Sequence, residues 1–183
     1  TVVGSINMTL SMQPGCDTLR EFTVLSIYSS GTNILVVNAA SPIGNFAHMV
    51  ALSRANPGKL NYSASGSGST QHLSGELFKT RTRTDNVHVP YKGTGPAVTD
   101  TLGGQVSIMF ASVPSVIQHI RAGQLIALGV TSTKRPSVMP EVPTIAESGV
   151  PCDALGSGFG LVAPRSPVPA LSPSRAFNQP AHP

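Results

Sequence analysis

The sequence predicts an α/β fold. Short apolar runs typical of buried strands alternate along most of the chain with stretches of helical periodicity, and several of these stretches carry helix-boundary residues. Hydrophobic residues make up 40% of the 183 residues and charged residues only 11%, which is enough apolar material for a sizeable core. Such alternation predicts parallel strands with helices on the faces of the sheet.

The first predicted unit is a strand followed by a helix and a second strand. The run "NILVVN" at 33–38 predicts a buried strand. Ser41 then has the character of a helix N-cap, and Pro42 that of a first helical residue. The helix should end before "NPG" at 56–58, and "KLNYS" should resume as a strand. One face of this helix is formed by apolar residues at helical spacing, namely Ile43, Phe46, Ala47 and Val50.

The second predicted unit begins with a helix whose inner side carries Leu73 and Leu77, with Thr80 or Arg81 completing it. In "NVHVP" Val87 and Val89 alternate with His88, so His88 is expected to point out of the strand face. A further helix is expected from Pro96, with Val98 and Leu102 buried.

The remaining elements continue the alternation. "QVSIMFAS" predicts a strand, "LIALGVTS" another, and "GFGLVAP" a closing one, whereas "EVPTIAESG" predicts a short helix between Pro143 and Gly149. The helix "VPSVIQHIRAG" should end with Arg121 in its last turn and Gly123 just beyond, and its inward residues are Val113, Val116, Ile117 and Ile120. From Pro164 onward the Pro-rich tail is expected to be extended or disordered.

Composition excludes several classes of protein. No run approaches the ~18 apolar residues of a membrane span. Twelve Lys and Arg against eight Asp and Glu give a net charge of +4, and the one basic cluster, "KTRTRT" at 79–84, is typical of a solvated helix end. The sequence therefore predicts no nucleic-acid binding.

Catalytic and metal motifs are missing from the sequence. The five histidines show neither i, i+4 pairing nor a metal-binding motif, so no metal site and no cofactor are predicted. "GSGFG" at 156–160 has Gly158 where a nucleophilic serine would stand. Cys16 and Cys152 are compatible with one disulfide, two free thiols or an intermolecular link.

Three loops are candidates for ligand binding, because ligands of parallel sheets lie beyond the carboxyl ends of the strands. They are Gly66–Thr70, Tyr91–Gly95 and Ala111–Ser115. The first, within "SGSGST", has neither the Lys of a phosphate-binding P-loop nor the third Gly of a dinucleotide fingerprint. Two interpretations remain, a helix capped by Ser69 or Thr70 and a site where open N–H groups bind an anion. Lys92 could attract a carboxylate or simply be solvated.

The motifs "NPGKLNYSASGSGSTQHLSGELF", "VHVPYKGTGPAVTDTLGGQVSIMF" and "IRAGQLIALGVTSTKRPSVMPEVPTIAESG" occur in this order. The chain resembles, from about Asp17 to Pro164, the substrate-binding receptors of tripartite tricarboxylate transporters, the Bug type. The resemblance implies a periplasmic-binding-protein-like (Venus flytrap) α/β fold without enzymatic activity. It also implies a small carboxylate ligand (a di- or tricarboxylate, an acidic amino acid or a related acid), delivered to a membrane permease from the periplasm.

The resemblance assigns the ligand contacts to the three loops. They would be made by Ser67, Gly68, Ser69 and Thr70 on one wall with His72 behind, by Tyr91, Lys92 and Gly93 on another, and by Ala111 and Ser112 at a strand end.

The chain departs from the family pattern at both ends. The family's Gly-rich "APGG"-like loop, which supplies the opposing half of the site, and its helical C-terminal ending are not found. We therefore expect one complete parallel or mixed-sheet lobe at 41–156, a remnant of the other lobe and a crossover strand at 1–40, and a return strand with the Pro-rich tail at 157–183. We also expect weak or no binding by this chain alone. The alternatives are a phosphate-holding α/β enzyme and a vestigial fragment that binds nothing.

Overall fold

The computed structural model describes residues 22–150 and 156–164. Contacts group the described residues into two compact units, one of which is Gly31–Ser157, while the other takes the described residues on either side of it. Both cysteines and the Pro-rich tail beyond Pro164 lie outside the described residues. Within them, no helix is both long and apolar enough to cross a bilayer.

The described residues form strands and helices in the predicted alternation. The strands are β1 (Phe22–Asn38), β2 (Asn61–Ala64), β3 (Val87–Pro90), β4 (Ile108–Ser112), β5 (Leu125–Val130) and β6 (Gly156–Pro164). The helices are α1 (Phe46–Ala55), α2 (Thr70–Thr82), α3 (Thr94–Leu102) and α4 (Val113–Arg121). The structure confirms all the predicted strands, namely 33–38 within β1 and the strands at β2 to β6. It also confirms the helix at α4, with Gly123 just beyond its end at a φ of 69°.

The sheet is mixed, with the order β3-β2-β4-β1-β5, and β6 pairs with β1. Strand β2 runs parallel to both β3 and β4, as predicted. The expectation of parallel pairing is wrong for β1, which runs antiparallel to β4 and to β5. Because the apolar run of β1 is buried on both faces, it suits a central strand of either direction, and its hydrophobicity could not reveal the direction.

Two hydrophobic clusters cover the two faces of the sheet. Successive residues of β1 alternate between them, since Ile34 and Val36 belong to one cluster and Leu35 and Val37 to the other. The first cluster joins the sheet to α3 and α4 through Ala97, Val98, Val113 and Val116. The second joins it to α1 and α2 through Phe46, Met49 and Phe78. The helices therefore lie on both faces, two on each.

Helix α1 begins later than predicted. Its N-cap is Asn45, whose side-chain oxygen accepts a hydrogen bond from the backbone N–H of His48 at 2.8 Å. Ser41 instead accepts from the N–H of Ile43 within the preceding turn, at 3.3 Å. The prediction of Ser41 as N-cap and Pro42 as first helical residue is wrong because Asn45, also a good cap, lies closer to the buried residues. Ala47 is exposed, and the buried face is Phe46, Met49 and Ser53.

Helix α2 is rotated from its predicted orientation. Leu73 and Leu77 are only half-buried, while Gln71, Ser74, Gly75, Phe78 and Thr82 are buried. Gly75 explains the rotation, because a β-carbon added there would lie 2.3 Å from the Tyr62 ring. Only a glycine on the inner face lets the helix approach this tyrosine so closely.

The stretch "EVPTIAESG" does not form the predicted helix. A capping box is present, in which the Thr144 N–H donates to Glu147 Oε2 at 2.7 Å and the Glu147 N–H donates to Thr144 Oγ1 at 3.1 Å. Thr144 also forms a bridge with Val130, and only turns follow until Gly149, whose φ is 87°. The predicted helix does not form because Thr144 pairs with the sheet and Gly149 follows so soon that only turns fit between them.

Candidate functional site

The candidate site is the edge of the sheet where the parallel strands β2, β3 and β4 end. These strands are neighbours, so their carboxyl ends meet at one edge. A helix begins shortly after each of them, α2 at Thr70, α3 at Thr94 and α4 at Val113. The structure thus brings the three predicted segments together. The third is not a loop, because Ser112 ends β4 and Val113 begins α4 directly.

The first loop (Gly66–Thr70) and the second loop (Tyr91–Gly95) are joined through their backbones. The Gly93 N–H donates to the Ser65 carbonyl at 3.0 Å, and the Tyr91 N–H donates to the Ala64 carbonyl at 3.3 Å. Gly93 has a φ of 113°, which disfavours any residue with a side chain. A β-carbon on Gly66 would lie 3.5 Å from the Tyr91 carbonyl oxygen. The two loops therefore form one continuous surface whose geometry depends on glycine.

Within the first loop, Ser69 caps α2. Its hydroxyl oxygen accepts the His72 N–H at 3.2 Å. Gly68 has a φ of 77°, and its N–H donates to the ring nitrogen Nδ1 of His72 at 3.1 Å. The capping interpretation is therefore confirmed for Ser69. It does not compete with anion binding, because the Ser69 hydroxyl hydrogen remains able to donate to an acceptor outside the helix. Ser67 is exposed beside it.

Gln71 organises the hydroxyl groups of the first loop, a role that the sequence did not indicate. Its side chain is buried, and Oε1 accepts from Ser65 Oγ at 3.0 Å and from Thr70 Oγ1 at 3.3 Å. The Thr70 hydroxyl is thus directed towards Gln71. It would have to rotate in order to donate to a ligand.

The second loop presents one cation. Lys92 is exposed, and among the described residues no carboxylate forms a salt bridge with it. The hydroxyl of Tyr91 donates to Asp100 Oδ2 at 2.7 Å, and burial together with this hydrogen bond raises the pKa of Tyr91 to about 12. The Tyr91 side chain packs against the first cluster. Its hydroxyl is therefore occupied, and its contribution to this edge is made by the backbone.

At the β4–α4 junction the two predicted residues differ. The methyl group of Ala111 is fully buried in the first cluster, so its side chain is part of the core. Ser112 is half-buried, and its hydroxyl donates to Ser115 Oγ at 3.1 Å while Ser115 Oγ donates to the Ser112 carbonyl at 2.7 Å. Ser112 is thus the polar group that β4 brings to this edge.

Asn33 also lies at this edge, although it was not predicted there. The antiparallel register places it opposite Ser112, and it is fully buried. Its Nδ2 donates to Ser74 Oγ at 3.0 Å, and Ser74 Oγ donates to the Thr70 carbonyl at 2.8 Å. The Asn33 N–H donates to Thr131 Oγ1 at 3.2 Å. Asn33 therefore connects the sheet to the first turn of α2, and only the direction of β1 could have revealed this.

A column of rings supports the first loop from behind. The His72 and His88 rings stack with centroids 4.0 Å apart, and the Tyr62 ring lies 5.0 Å from that of His88. His88 does project from a face of β3, as expected, but α2 covers that face, whereas Val87 on the other face is 48% exposed. Burial, and next the neighbouring His72, lower the pKa of His88, and its Nε2 is buried without a hydrogen-bond partner among the described residues.

Glu76 connects this column of rings to the charged side chain of Lys79. Its Oε1 accepts from the Tyr62 hydroxyl at 2.6 Å and from Lys79 Nζ at 3.1 Å. Burial alone would raise the pKa of Glu76, but the hydrogen bonds from Tyr62 and Lys79 hold it below its usual value. For Tyr62, burial and the bond to Glu76 raise the pKa.

The lowered pKa of His88 makes stability dependent on pH. Because the unfolded chain binds a proton at His88 more readily than the folded one, folding stability should fall as pH drops below about 6.5, the usual histidine pKa. We expect His88→Phe, which keeps a ring in the column, to reduce this loss in urea denaturation at pH 7.5 and pH 5.5. His48→Gln, at an exposed histidine, should leave the loss unchanged. An unchanged loss in His88→Phe would contradict the assignment.

A cavity of about 550 Å³ opens at the opposite edge of the sheet. Its lining contains no Lys, Arg or His. Asn38, the amide in its wall, donates to the carbonyls of Thr101 and Leu102 at 3.1 and 2.7 Å. Among the described residues, no group of His, Cys, Asp and Glu could hold a metal ion. The helix N-termini and Lys92 make the carboxyl edge the better candidate for an anion.

An α/β lobe with a mixed sheet, in which three helix N-termini meet at the carboxyl edge, is the architecture of periplasmic binding proteins. The structure of Rpa4515 from R. palustris with adipate superposes with a TM-score of 0.81 at 36% identity, over 85% of this chain and 52% of that one. MatC from Rhodopseudomonas palustris with bound malate gives 0.82 at 26% identity, over 90% and 56%.

The sequence comparison agrees with the structural one. The family described as "Tripartite tricarboxylate transporter family receptor" matches residues 9–172, and the chain belongs to this family. The protein BugT of Bordetella pertussis is 35% identical over 164 residues, which are 88% of this chain and 50% of that protein. The chain spans about half the length of the curated relatives it matches.

Proposed function

We propose that this chain is the ligand-binding part of a solute receptor that captures a small carboxylate for a tripartite tricarboxylate-type transporter. The observation that carries the proposal is the meeting of the first loop, the second loop and the β4–α4 junction at one sheet edge. Helix N-termini favour negative charge, and their first N–H groups have no partner within the helix. Relatives with adipate and malate bound support a dicarboxylate as the ligand.

The contacts would be made by the residues that the resemblance assigned. One carboxylate group would accept from backbone N–H groups of the first loop, with Ser67, Ser69 and Thr70 as hydroxyl donors. Lys92 would add an attractive charge from the second loop, where Gly93 positions the backbone. Ser112 would contribute from the β4–α4 junction, whereas Ala111 would serve as packing. His72 stands behind the first loop, and Tyr91 contributes its backbone.

The wider setting of the chain is also a proposal. Family membership supports a receptor rather than an enzyme, a permease as its partner and a periplasmic location. We also propose that residues 41–156 form one lobe, to whose sheet the 33–38 part of β1 contributes a crossing strand, and that the remainder of 1–40 and 157–183 belong to the other lobe.

Amide chemical shifts measured by NMR test the proposal directly. We expect adipate, malate, citrate, glutamate or nicotinate at millimolar concentration to shift resonances of the first and second loops and of Ser112. Residues lining the opposite cavity, such as Leu60 and Gly104, should not shift. If none of the acids shifts any loop amide, or if shifts are spread over the whole surface, the proposal is wrong.

The substitution Lys92→Gln tests how much the positive charge of Lys92 contributes to carboxylate binding. An exposed charge contributes a few tenths to about 1 kcal/mol, so the dissociation constant should rise about two- to fivefold. Lys59→Gln is the matched control, because Lys59 is equally exposed but precedes β2 at the opposite edge. The dissociation constant in both variants comes from the same NMR titration. Equal effects of the two substitutions would show that Lys92 has no local role.

A further inference from the structure

His72 holds an N–H group of the first loop in a way that fixes its protonation. A backbone N–H can only donate, so Nδ1, which accepts from Gly68 at 3.1 Å, must carry a lone pair. The neutral ring then has its hydrogen on Nε2, which lies 3.9 Å from Glu76 Oε1. In this state the Gly68 N–H is directed towards His72 and away from any ligand.

A charged imidazolium carries hydrogens on both nitrogens and cannot accept a hydrogen bond. The bond from Gly68 and the charged form of His72 therefore exclude each other. A carboxylate that bound the Gly68 N–H would release Nδ1. The negative charge of that carboxylate would at the same time favour a proton on the ring.

The groups around His72 determine whether this proton binds to His72 or to the neighbouring ring of His88. On α2 itself Glu76 attracts a positive charge, whereas Lys79, bonded to Glu76, opposes it. From β3 the His88 ring stacks at 4.0 Å, and from β2 the Tyr62 hydroxyl binds the same Glu76 oxygen. Two stacked rings at this distance do not both carry charge readily. His88 is the more enclosed of the two, since its Nε2 is buried without a partner among the described residues.

We propose that His72 is a positioning residue whose protonation is coupled to the capture of a carboxylate by the first loop. Without ligand, neutral His72 keeps the Gly68 N–H in place. With ligand, the Gly68 N–H donates its hydrogen bond to the carboxylate instead of to Nδ1. Nδ1 then takes up a proton from solvent, and the charged ring lies between that carboxylate and Glu76. The inference rests on the proposed function, and it adds that ligand binding is accompanied by the uptake of one proton at His72. Because the bound state favours the protonated ring, affinity rises as pH falls.

NMR titration with adipate at pH 6.5 and pH 8 tests the coupling, since histidines titrate within roughly this range. One linked proton changes the dissociation constant by up to about tenfold per pH unit, so we expect several-fold tighter binding at pH 6.5.

Two variants distinguish the effect of His72 protonation on binding from the effect of replacing a histidine side chain. His72→Asn keeps an acceptor where Nδ1 lies but cannot titrate, so it should bind adipate with the same affinity at both pH values. His48→Asn is the matched control, because His48 is also the third residue of its helix, its N–H is also accepted by the N-cap side chain, and its ring is exposed. This variant should keep the full pH dependence. Dispersed amide spectra confirm that both variants fold.

Each outcome bears on a separate statement. Equal affinity of the unaltered chain at both pH values, or undiminished pH dependence in His72→Asn, would overturn the coupling and leave the proposed function intact. Absence of adipate binding at both pH 6.5 and pH 8 would overturn the proposed function and, with it, the coupling.

Discussion

Gly75→Ala should destabilise the chain by about 2 to 3 kcal/mol, although alanine is the better helix former. The added β-carbon would lie 2.3 Å from Cε2 and 2.6 Å from Cζ of Tyr62. The ring cannot move aside easily, because it is 1% exposed and its hydroxyl is bonded to Glu76 at 2.6 Å. Helix α2 would have to move away from the sheet. Urea denaturation measures the loss.

Gly95→Ala is the matched control for this substitution. Gly95 also lies within a helix, has no unusual φ and has no atom within 4 Å of an added β-carbon. Its replacement should be neutral or stabilise by up to about 1 kcal/mol. Equal stability of Gly75→Ala and the unaltered chain would mean that α2 does not pack on Tyr62 as described. Because α2 carries the first loop, we also expect weaker adipate binding in Gly75→Ala.

Asn33→Asp should destabilise the chain by about 3 kcal/mol or more at neutral pH, because it places a carboxylate at a fully buried position that holds a neutral amide. The substitution keeps the shape but replaces the Nδ2 donor by an oxygen. That oxygen would face Ser74 Oγ, whose hydrogen already goes to the Thr70 carbonyl. Either the two oxygens repel each other or Ser74 releases the first turn of α2.

The pH dependence of Asn33→Asp identifies the cause of the loss. Burial would raise the pKa of the introduced carboxyl above its unfolded value of about 3.9, so the loss should be full at neutral pH and shrink as the carboxyl is protonated on acidification. Asn45→Asp makes the same chemical change at an exposed N-cap, where Asp is equally favoured, and should leave stability unchanged. A loss in Asn33→Asp that persists at low pH would point to altered packing instead of charge.

Much of the fold could be predicted from local patterns. The short apolar runs and the period-3.6 arrangements predicted the six described strands, β1 over 33–38 alone, and helix α4, because these elements bury faces whose spacing is written in the sequence. Signals at boundaries were less decisive. Both Ser41 and Asn45 are good caps, and the choice between them depends on where Phe46 and Met49 reach the second cluster.

The candidate site could be predicted in part for a related reason. That three segments follow three strands is a local property, and their meeting at one edge requires only that the strands be parallel. Asn33 was missed because its position depends on the antiparallel direction of β1, which is a property of the whole sheet. The roles of Gln71 and His88 were missed because Gly75, on the inner face of α2, sets the rotation of this helix over the sheet, and not the leucines that dominate its apolar pattern.

The glycines of the first and second loops have an evolutionary consequence. The N–H groups that they position belong to the main chain, and of all substitutions only one to proline removes such a group, whereas Ser67 and Lys92 are exposed and can be exchanged without disturbing the framework. A lineage of receptors could therefore change the acid it recognises by replacing two peripheral side chains. The inherited part of the recognition would be a backbone conformation, and the adaptable part its polar surroundings.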